Sequence, residues 1–248
     1  MARTALNFSK GEVRRAGELL RRLPTVFDGV SSEQETFEIT DRINHAFSVA
    51  ENWRACHSYA LQKGTMGLRS RVETAGAPLR VSQRHKRMAT IIDKLTREPG
   101  MRLDRMQDIA GCRAVVDTIS QVRSVERRYR VRPPPEGVRR ITDYIDDPKP
   151  SGYRGVHVII QHDDRLVEVQ LRTIVQHHWA VSVERLGGLI GEDLKSGRGP
   201  VEVVSFLEIV AEAMTIEEVG GLVDDVLLAE IDRRRVAASP YFRGGERR

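Results

Sequence analysis

The stretch DPKPSGYRGVHVIIQHDDRLVEVQLRT, residues 147–173, decides how the chain folds. It opens with a turn signal, because Pro150 presets the second position of a type I turn and Gly152 takes the fourth. Residues 156–161 then form an apolar run typical of a strand that is buried on both faces. Residues 166–172 predict the returning strand. The stretch therefore predicts a fixed loop followed by a β-hairpin.

The returning strand alternates strictly between apolar and polar residues. The apolar residues of VEVQLR point to one face, whereas Glu168, Gln170 and Arg172 point to the other, because neighbouring side chains on a strand alternate. Alone, this pattern is typical of a half-solvated strand. The adjoining loop carries Lys149 and a Tyr153 that we expect to be exposed, and this combination favours a ligand site.

The composition limits the class of protein. With 40% hydrophobic and 30% charged residues, the sequence is typical of a soluble globular protein, without a membrane span or a signal peptide. Cys56 and Cys112 give no disulfide framework, so we expect a reducing cytoplasm. The net charge of +5 is compatible with a polyanionic partner, although basic residues usually form a solvated face.

Arginine supplies most of the positive charge. In such a chain a lysine can mark a place where a compact point charge is needed, as in phosphate binding. Three of the six lysines fall within the motifs described below. The six are Lys10, Lys63, Lys86, Lys94, Lys149 and Lys195.

The N-terminal part predicts a helical layer. Ser9 and Ser32 are each followed three residues later by Glu, the pattern of a capping box. The layer ends near residue 75, and TAGAP (74–78) predicts a linker. The polar face of the first helix is either an ordinary solvated face or a strip that binds phosphates. Its basic residues are Lys10, Arg14, Arg15, Arg21 and Arg22.

The central part carries two further basic and acidic motifs. In VSQRHKRMATIIDKL, Lys86, Thr90 and Lys94 are spaced by four, so on a helix they would share one face and approach a single triphosphate. An ordinary basic surface helix is the alternative. In MRLDRMQDIAGCRAVVDT, Asp108 stands at the entrance of a predicted strand and Arg113 lies within it.

The remaining segments complete the expected order. A helix over residues 120–130 precedes the Pro-rich segment VRPPPEGVRR, which we expect to be a mobile loop. After the hairpin, helices are predicted over residues 173–189 and 201–236. His177 and His178 are neighbours rather than an i, i+4 pair, so they do not predict a metal site. The end, ASPYFRGGERR, is expected to be frayed.

Four motifs in this order, RHKRMATIIDKL, MQDIAGCRAVV, DYIDDPKPSGYRGVH and VEVQLRT, resemble the synthetase domain of the RelA/SpoT alarmone synthetases. The resemblance covers about residues 50–190. It implies an α+β fold, a mixed β-sheet flanked by helices of the nucleotidyltransferase-like kind. The implied parts are an N-terminal helical layer (1–75), a synthetase core (76–190) and C-terminal helices with a frayed tail (191–248).

The resemblance also implies an activity. Such an enzyme is an ATP pyrophosphokinase that moves the β,γ-pyrophosphate of ATP to a ribose 3′-hydroxyl, with Mg²⁺ as cofactor. His162 and Asp163 sit in a turn, so the family's hydrolase half is not expected. The segments SKGEVRRAG, NWRACHSYAL and HHWAVSVERLGGLIGEDLKSGRGP are similar to the toxic branch of the small synthetases. Members of that branch are toxins neutralised by an antitoxin protein, and several modify tRNA.

Residue roles follow from the resemblance by position. Asp108 matches the magnesium-binding carboxylate, and Glu168 matches the one that supports the metal or takes the proton of the attacking hydroxyl. Arg84 and Arg113 match the arginines that sandwich adenine. Lys86, Thr90 and Lys94 complete the expected ATP site. The residues expected to contact the acceptor are Lys149, Tyr153, His157, Gln170 and Arg172, with Tyr153 stacking on its base.

The sequence departs from the family on the acceptor side. Ser151 stands where Asn is common, and Gly155-Val156 stands where Ser-Leu is common. Three hypotheses therefore stay open. The acceptor is the tRNA 3′ CCA end, or it is GDP, GTP or an adenosine nucleotide, or the chain is a non-catalytic nucleotide- or RNA-binding regulator. Both carboxylates and the basic residues on the ATP side are present, which disfavours the last.

Overall fold

The computed structural model describes residues 3–242. Over this part of the chain the helices are α1 (Lys10–Arg21), α2 (Glu33–Ala55), α3 (Ser58–Thr74), α4 (Met88–Arg97), α5 (Ile119–Val131), α6 (Ile174–Ile190), α7 (Val201–Glu218) and α8 (Asp225–Phe242). The strands are β1 (Val81–His85), β2 (Ala110–Val116), β3 (Val138–Asp143), β4 (Val156–His162) and β5 (Arg165–Thr173). Within residues 3–242, none of the helices combines the length and the apolar character needed to cross a bilayer.

The five strands form one mixed sheet in the order β1-β2-β5-β4-β3. Strands β2 and β5 run parallel, and the other neighbours are antiparallel. The crossover between β2 and β5 includes α5, as a parallel connection requires. The predicted α+β fold with a mixed sheet and flanking helices is therefore confirmed.

The hairpin that the sequence predicted joins β4 to β5. Its turn is Asp163 and Asp164, whose φ angles of 53° and 58° are both left-handed, as a two-residue hairpin turn favours. Lys149 accepts a backbone hydrogen bond from Gly152 (2.8 Å), which confirms the turn before β4. Along β5, Val167 and Val169 are fully buried, as the alternation predicts.

Three apolar cores surround the sheet. Helices α3 and α5 cover one face, where residues such as Leu68 and Val125 pack against the apolar side chains of the central strands. Helices α1, α2 and α4 form a second core around Trp53 and Ile91. A third core, formed by α6, α7 and α8 around Trp179, lies beside the loop before β4.

Both predicted capping boxes of the N-terminal layer are present. Ser9 accepts from the backbone of Glu12 at the start of α1, and Ser32 accepts from Glu35 at the start of α2. The apolar side of α1 packs on α2 and α4 through Val13 and other buried residues. The layer therefore supports α4, the helix that carries Lys94.

Three local expectations were wrong. Residues 81–85 form the edge strand β1, so Lys86 lies between β1 and α4, and the spacing of four does not place it on the helix. The end of VRPPPEGVRR belongs to β3, which pairs with β4, so the loop is shorter than expected. In ASPYFRGGERR, the helix α8 continues to Phe242 because Ala238 is buried against the third core. Residues 243–248 of that segment lie outside the described residues.

Candidate active site

Lys86, Lys94 and Asp108 form the first of two polar groups at the candidate site. Nζ of Lys86 lies 3.0 Å from Oδ2 of Asp108, and Nζ of Lys94 lies 3.0 Å from both carboxylate oxygens. Lys94 is held by α4, whose Ile91 and Leu95 are fully buried. Lys86 is held by its backbone N–H, which donates to the carbonyl of Ile109 (2.8 Å). Two ammonium groups therefore converge on one carboxylate.

The second group is a closed ring of hydrogen bonds among Tyr153, His157, Glu168, Gln170 and Arg172. The Tyr153 hydroxyl lies 2.5 Å from Nε2 of His157, and Nδ1 of His157 lies 3.0 Å from Oε1 of Glu168. Gln170 donates to Oε2 of Glu168 (2.6 Å). Arg172 closes the ring by donating to Gln170 and to Tyr153, each at 2.8 Å.

The direction of these bonds fixes the protonation states. Arg172 can only donate, so the Tyr153 oxygen accepts from it, and the Tyr153 hydroxyl donates to Nε2 of His157. His157 is then neutral, with its proton on Nδ1 and donated to Glu168. Burial lowers the pKa of His157, which agrees with the neutral form. Every bond of the ring therefore has one donor and one acceptor.

Glu168 is ionised in this ring. Burial disfavours its charged form, but the interactions with His157, the hydrogen bond from Gln170 and the positive charge of Lys195 outweigh burial, so the pKa of Glu168 lies below its usual range. Each carboxylate oxygen contacts one of these two side chains, His157 or Gln170. The ring therefore fixes the orientation of Glu168 on the sheet.

The register of the sheet brings the predicted ATP residues to the same face. Arg84 lies opposite Gly111 and Ser82 lies opposite Arg113, while Glu168 lies beside Gly111. Residues that pair directly point to the same side of a sheet. Arg84 is exposed, and Arg113 is half-buried, with Nε 3.3 Å from Gln170. The two arginines and Glu168 therefore share the polar face.

Other predicted residues lie at the margins of these groups. Thr90 is half-buried one turn before Lys94 on α4. Nζ of Lys149 lies 5.0 Å from the ring centre of Tyr144 and 5.4 Å from that of Tyr153. Lys149 thus lies beside the aromatic side chains of Tyr144 and Tyr153.

The expectation that Tyr153 is exposed was wrong. Tyr153 is fully buried in the third core, beside Trp179 and Leu194. Gly152, with φ +81°, turns the loop so closely onto α7 that an added Cβ would lie 2.4 Å from Cβ of Ala211. In this structure Tyr153 has no free ring face on which an acceptor base could stack.

Arg172 is also buried rather than displayed. Its side chain is fully covered, and its guanidinium donates to side chains of the ring instead of facing solvent. Its Nη1 is buried and has no hydrogen-bond partner within residues 3–242. Arg172 therefore presents no exposed guanidinium for the predicted direct contact with the acceptor.

The basic strip of α1 is only partly available. Nε of Arg21 donates to the carbonyl of Leu95 (2.9 Å), and Nη2 of Arg21 donates to that of Met101, so this residue ties α1 to α4. Arg14 forms an exposed ion pair with Glu18 (3.2 Å). The remaining members, Lys10, Arg15 and Arg22, are exposed. Arg21 thus has a structural role that the sequence pattern did not predict.

Two residues at this site were not assigned to it from the sequence. Tyr144 is half-buried, and its ring centre lies 5.2 Å from that of His157. Lys195 lies on the short 3₁₀ turn Leu194–Ser196, and its Nζ contacts Oε1 of Glu184 (2.7 Å). The rarity of lysine in this chain was the signal that could have pointed to Lys195.

The carboxylates fit a particular kind of magnesium site. Among residues 3–242 there is no cluster of three or more His, Cys, Asp or Glu that could hold a metal alone. Asp108 and Glu168 offer oxygen ligands, and Mg²⁺ is usually held by one or two carboxylates together with substrate phosphates and water. The donor set therefore fits a Mg²⁺ that arrives with a nucleotide.

Residues 83–185 match the family model described as "Region found in RelA / SpoT proteins". The chain carries a RelA/SpoT region. This region includes Lys86, Lys94 and Asp108 and the whole of the hydrogen-bonded ring. It ends before Lys195, which therefore reaches the site from outside the RelA/SpoT region.

Proteins with similar sequences extend beyond the matched parts. "Uncharacterized protein Rv1366" of Mycobacterium tuberculosis is 30% identical over 175 residues, which cover 67% of this chain and 61% of that protein. "GTP pyrophosphokinase YwaC" of Bacillus subtilis is 34% identical over 113 residues, which cover 39% of this chain and 52% of that protein. The chain thus spans between half and two thirds of the length of these relatives.

Solved structures with the RelA/SpoT region share the fold. A GTP pyrophosphokinase family protein from Streptococcus pneumoniae superposes with a TM-score of 0.57 at 26% identity, covering 73% of this chain and 96% of that one. Small alarmone synthetase 1 from Bacillus subtilis, bound to its product pppGpp, gives a TM-score of 0.56 at 22% identity, covering 71% and 93%. At 22% identity, the similarity to small alarmone synthetase 1 shows a shared fold alone.

Proposed function

We propose that this chain is an ATP pyrophosphokinase that transfers the β,γ-pyrophosphate of ATP to a ribose 3′-hydroxyl. The observation that carries the proposal is the convergence of Lys86 and Lys94 on Asp108, which stands two residues before β2, the strand that pairs with β5 at Glu168. The relatives named as GTP pyrophosphokinases support the same class of reaction. Phosphoryl transfer depends mainly on positioning and charge neutralisation, which this arrangement supplies.

In the proposed reaction the two lysines leave Asp108 and bind the phosphates of ATP. Arg84 and Arg113 hold the adenine between their planar cations. Asp108 and Glu168 would hold Mg²⁺, which when bound neutralises charge on the phosphates. These residues fix the donor, and the acceptor hydroxyl approaches from the side of Glu168.

The bond changes are simple to state. The acceptor 3′-oxygen forms a bond to the β-phosphorus, the bond between the β-phosphorus and the oxygen bridging to the α-phosphate breaks, and AMP leaves. Glu168, ionised and held by His157 and Gln170, takes the hydroxyl proton. The hydrogen-bonded ring therefore positions the base.

The test is incubation with γ-³²P-labelled ATP, Mg²⁺ and each acceptor in turn: GDP, GTP, ATP or tRNA. Asp108→Asn and Glu168→Gln should each reduce label transfer by at least about 100-fold, the usual effect of losing a general acid–base group. Asp117→Asn is the matched control, since Asp117 pairs with the exposed Arg80 (2.6 Å) away from the site. A wild-type protein that labels no acceptor would overturn the proposal, and active Asp108→Asn would reject the site.

For the acceptor we propose the tRNA 3′ CCA end, with the chain acting as a growth-inhibiting toxin that an antitoxin protein neutralises. The sequence features of the toxic branch support this choice. So do Lys10, Arg15 and Arg22, which are exposed on a helix that packs on α4. A duplex backbone would meet several of these charges, whereas a free nucleotide would not need them.

A second candidate is alarmone synthesis on GDP or GTP. It is favoured by the two Bacillus subtilis relatives, which are named GTP pyrophosphokinases and are 34% and 32% identical over their aligned parts. The labelling experiment separates the two, because only one class of acceptor becomes labelled efficiently.

The basic strip gives a sharper test of the tRNA acceptor. Reversing Lys10, Arg14 and Arg15 to Glu, with Arg21 kept because it joins α1 to α4, should abolish transfer to tRNA and flatten its salt dependence. The charge-matched control reverses Arg127, Arg233 and Arg235, three exposed arginines on α5 and α8. If the strip variant and this control label tRNA equally well, the strip does not bind tRNA.

A further inference from the structure

We propose that Lys195, from outside the RelA/SpoT region, binds a phosphate of the acceptor together with Lys149. The inference rests on the proposed function, because it assigns a specificity-determining residue to the acceptor side of that reaction. It adds to the site a cation from the 3₁₀ turn that follows α6.

Three cations surround one buried aromatic ring. From the ring centre of Tyr153, Nζ of Lys195 is 4.9 Å away and Nζ of Lys149 is 5.4 Å away. Cζ of Arg172 is 5.0 Å from the same point. Lys149 and Lys195 belong to segments 46 residues apart in the chain, yet both reach the same ring. Two ammonium groups from distant parts of the chain therefore lie beside one side chain.

Among these three cations, only Lys195 contacts a carboxylate within residues 3–242, that of Glu184. In the same part of the chain Nζ of Lys149 has no carboxylate oxygen within 4.0 Å. Arg172 donates only to neutral oxygens, and its Nη1 is buried without a partner in the described chain. A phosphate bound beside Tyr153 would give Lys149 a direct anionic partner.

The pKa values of both lysines are lowered from their usual value. Burial, followed by the charge of Arg172, lowers the pKa of Lys195 to about 8, although Glu184 acts in the opposite direction. Burial also lowers the pKa of Lys149, although the carboxylates of Asp193 and Glu168 act in the opposite direction. Both directions are those of cations that burial has partly removed from water, and a bound phosphate would stabilise their charged forms.

The position of Lys195 is built into the fold. The hydroxyl of the fully buried Ser151 donates to the backbone carbonyl of Lys195 (2.8 Å). Leu194, next to it, is fully buried in the same core as Tyr153. Ser151 stands where the family commonly has Asn, so this departure coincides with an anchor for the turn that presents Lys195. A change of the Lys195 side chain leaves that backbone anchor in place.

The group expected to bind the two lysines is a phosphate, and two kinds of acceptor can supply it. One is the 5′-phosphate of a free nucleotide such as GDP, and the other is the phosphodiester next to an RNA 3′ end. The experiment therefore uses both GDP and a short RNA that ends in CCA.

The experiment compares Lys195→Gln and Lys195→Arg with wild type in labelled transfer, with the KM for the acceptor and the KM for ATP measured separately. The KM for the acceptor should rise at least about tenfold in Lys195→Gln, as expected for a lost charged hydrogen bond, while that for ATP stays unchanged. Lys195→Arg should restore most of the acceptor affinity. Lys63→Gln is the matched control, since Nζ of Lys63 lies 5.5 Å from the ring of Tyr59 on α3.

A binding arm separates this inference from the proposed function. GDP and the CCA-ending RNA are titrated without ATP, and the fluorescence of Trp179, whose ring centre lies 6.3 Å from that of Tyr153, is the readout. Weaker binding to Lys195→Gln would support the role of Lys195; if wild type also transferred no pyrophosphate, that second result would reject the proposed function alone. Unchanged binding of both GDP and the RNA by Lys195→Gln would overturn the role of Lys195, whatever the activity of wild type.

Discussion

Gly155→Ser should destabilise this protein, although Ser is the residue that the resembled family commonly has there. Gly155 has φ +148°, a conformation that L-residues rarely adopt, and strain of this kind costs about 1–3 kcal/mol. An added Cβ would lie 3.1 Å from Cγ of Arg172 and 3.2 Å from the carbonyl of Leu171. Arg172 is fixed by its hydrogen bonds to Tyr153 and Gln170, so it cannot move away without breaking them.

The crowding should add a cost typical of overpacking, about 1–3 kcal/mol, so the expected total is about 2–6 kcal/mol. The assay is urea unfolding followed by the fluorescence of Trp53 and Trp179, both buried. Gly137→Ala is the control, because Gly137 has φ +90° but nothing within 4 Å of an added Cβ, so only a backbone cost of about 1–2 kcal/mol is expected. A Gly155→Ser variant as stable as wild type, or less affected than Gly137→Ala, would refute the reasoning.

Two further predictions concern the ATP side and the pH dependence of stability. Arg84→Ala should raise the KM for ATP without lowering stability, because Arg84 is exposed on an edge strand; an unchanged KM would count against adenine stacking. His57 is buried, which lowers its pKa from 6.5 to about 4, so the unfolded state gains a proton before the folded state does as the pH falls below 6.5. Linkage then removes about 2 kcal/mol of stability between pH 7 and pH 5. His57→Gln should lose about that much less over the same interval, and an equal loss in urea unfolding would contradict the assignment.

The hairpin and the polar row of β5 could be predicted because their determinants are local. Pro150 and Gly152 fix a turn by their own backbone preferences, and the alternation along β5 needs only the period of a strand. The capping boxes at Ser9 and Ser32 are equally local. Convergence of Lys86 and Lys94 was predicted with the wrong geometry, since Lys86 reaches Asp108 from the end of β1 rather than from α4. The resemblance to a family supplied the grouping that periodicity alone did not.

The environment of Tyr153 could not be predicted in the same way. Its burial depends on α6 and α7, and the nearest contact at Gly152 is with Ala211, 59 residues further along the chain. Hydrophobic periodicity reports that a segment has an apolar face, but it does not say which segment covers that face. A polar loop followed by a tyrosine therefore predicted exposure, and long-range packing determined otherwise. The same reasoning applies to Arg21, whose acceptors are backbone carbonyls of Leu95 and Met101, groups that every sequence contains.

The two departures from the family pattern, Ser151 and Gly155, contribute to the same structural arrangement. Ser151 is short enough to be fully buried while its hydroxyl holds the carbonyl of Lys195, and Gly155 leaves room for the side chain of Arg172. Arg172 in turn donates to the Tyr153 hydroxyl from within the same cluster. Both departures thus favour the same arrangement, in which the turn after α6 closes against the loop before β4. Because this turn carries Lys195, Ser151 also holds an additional cation beside the loop before β4.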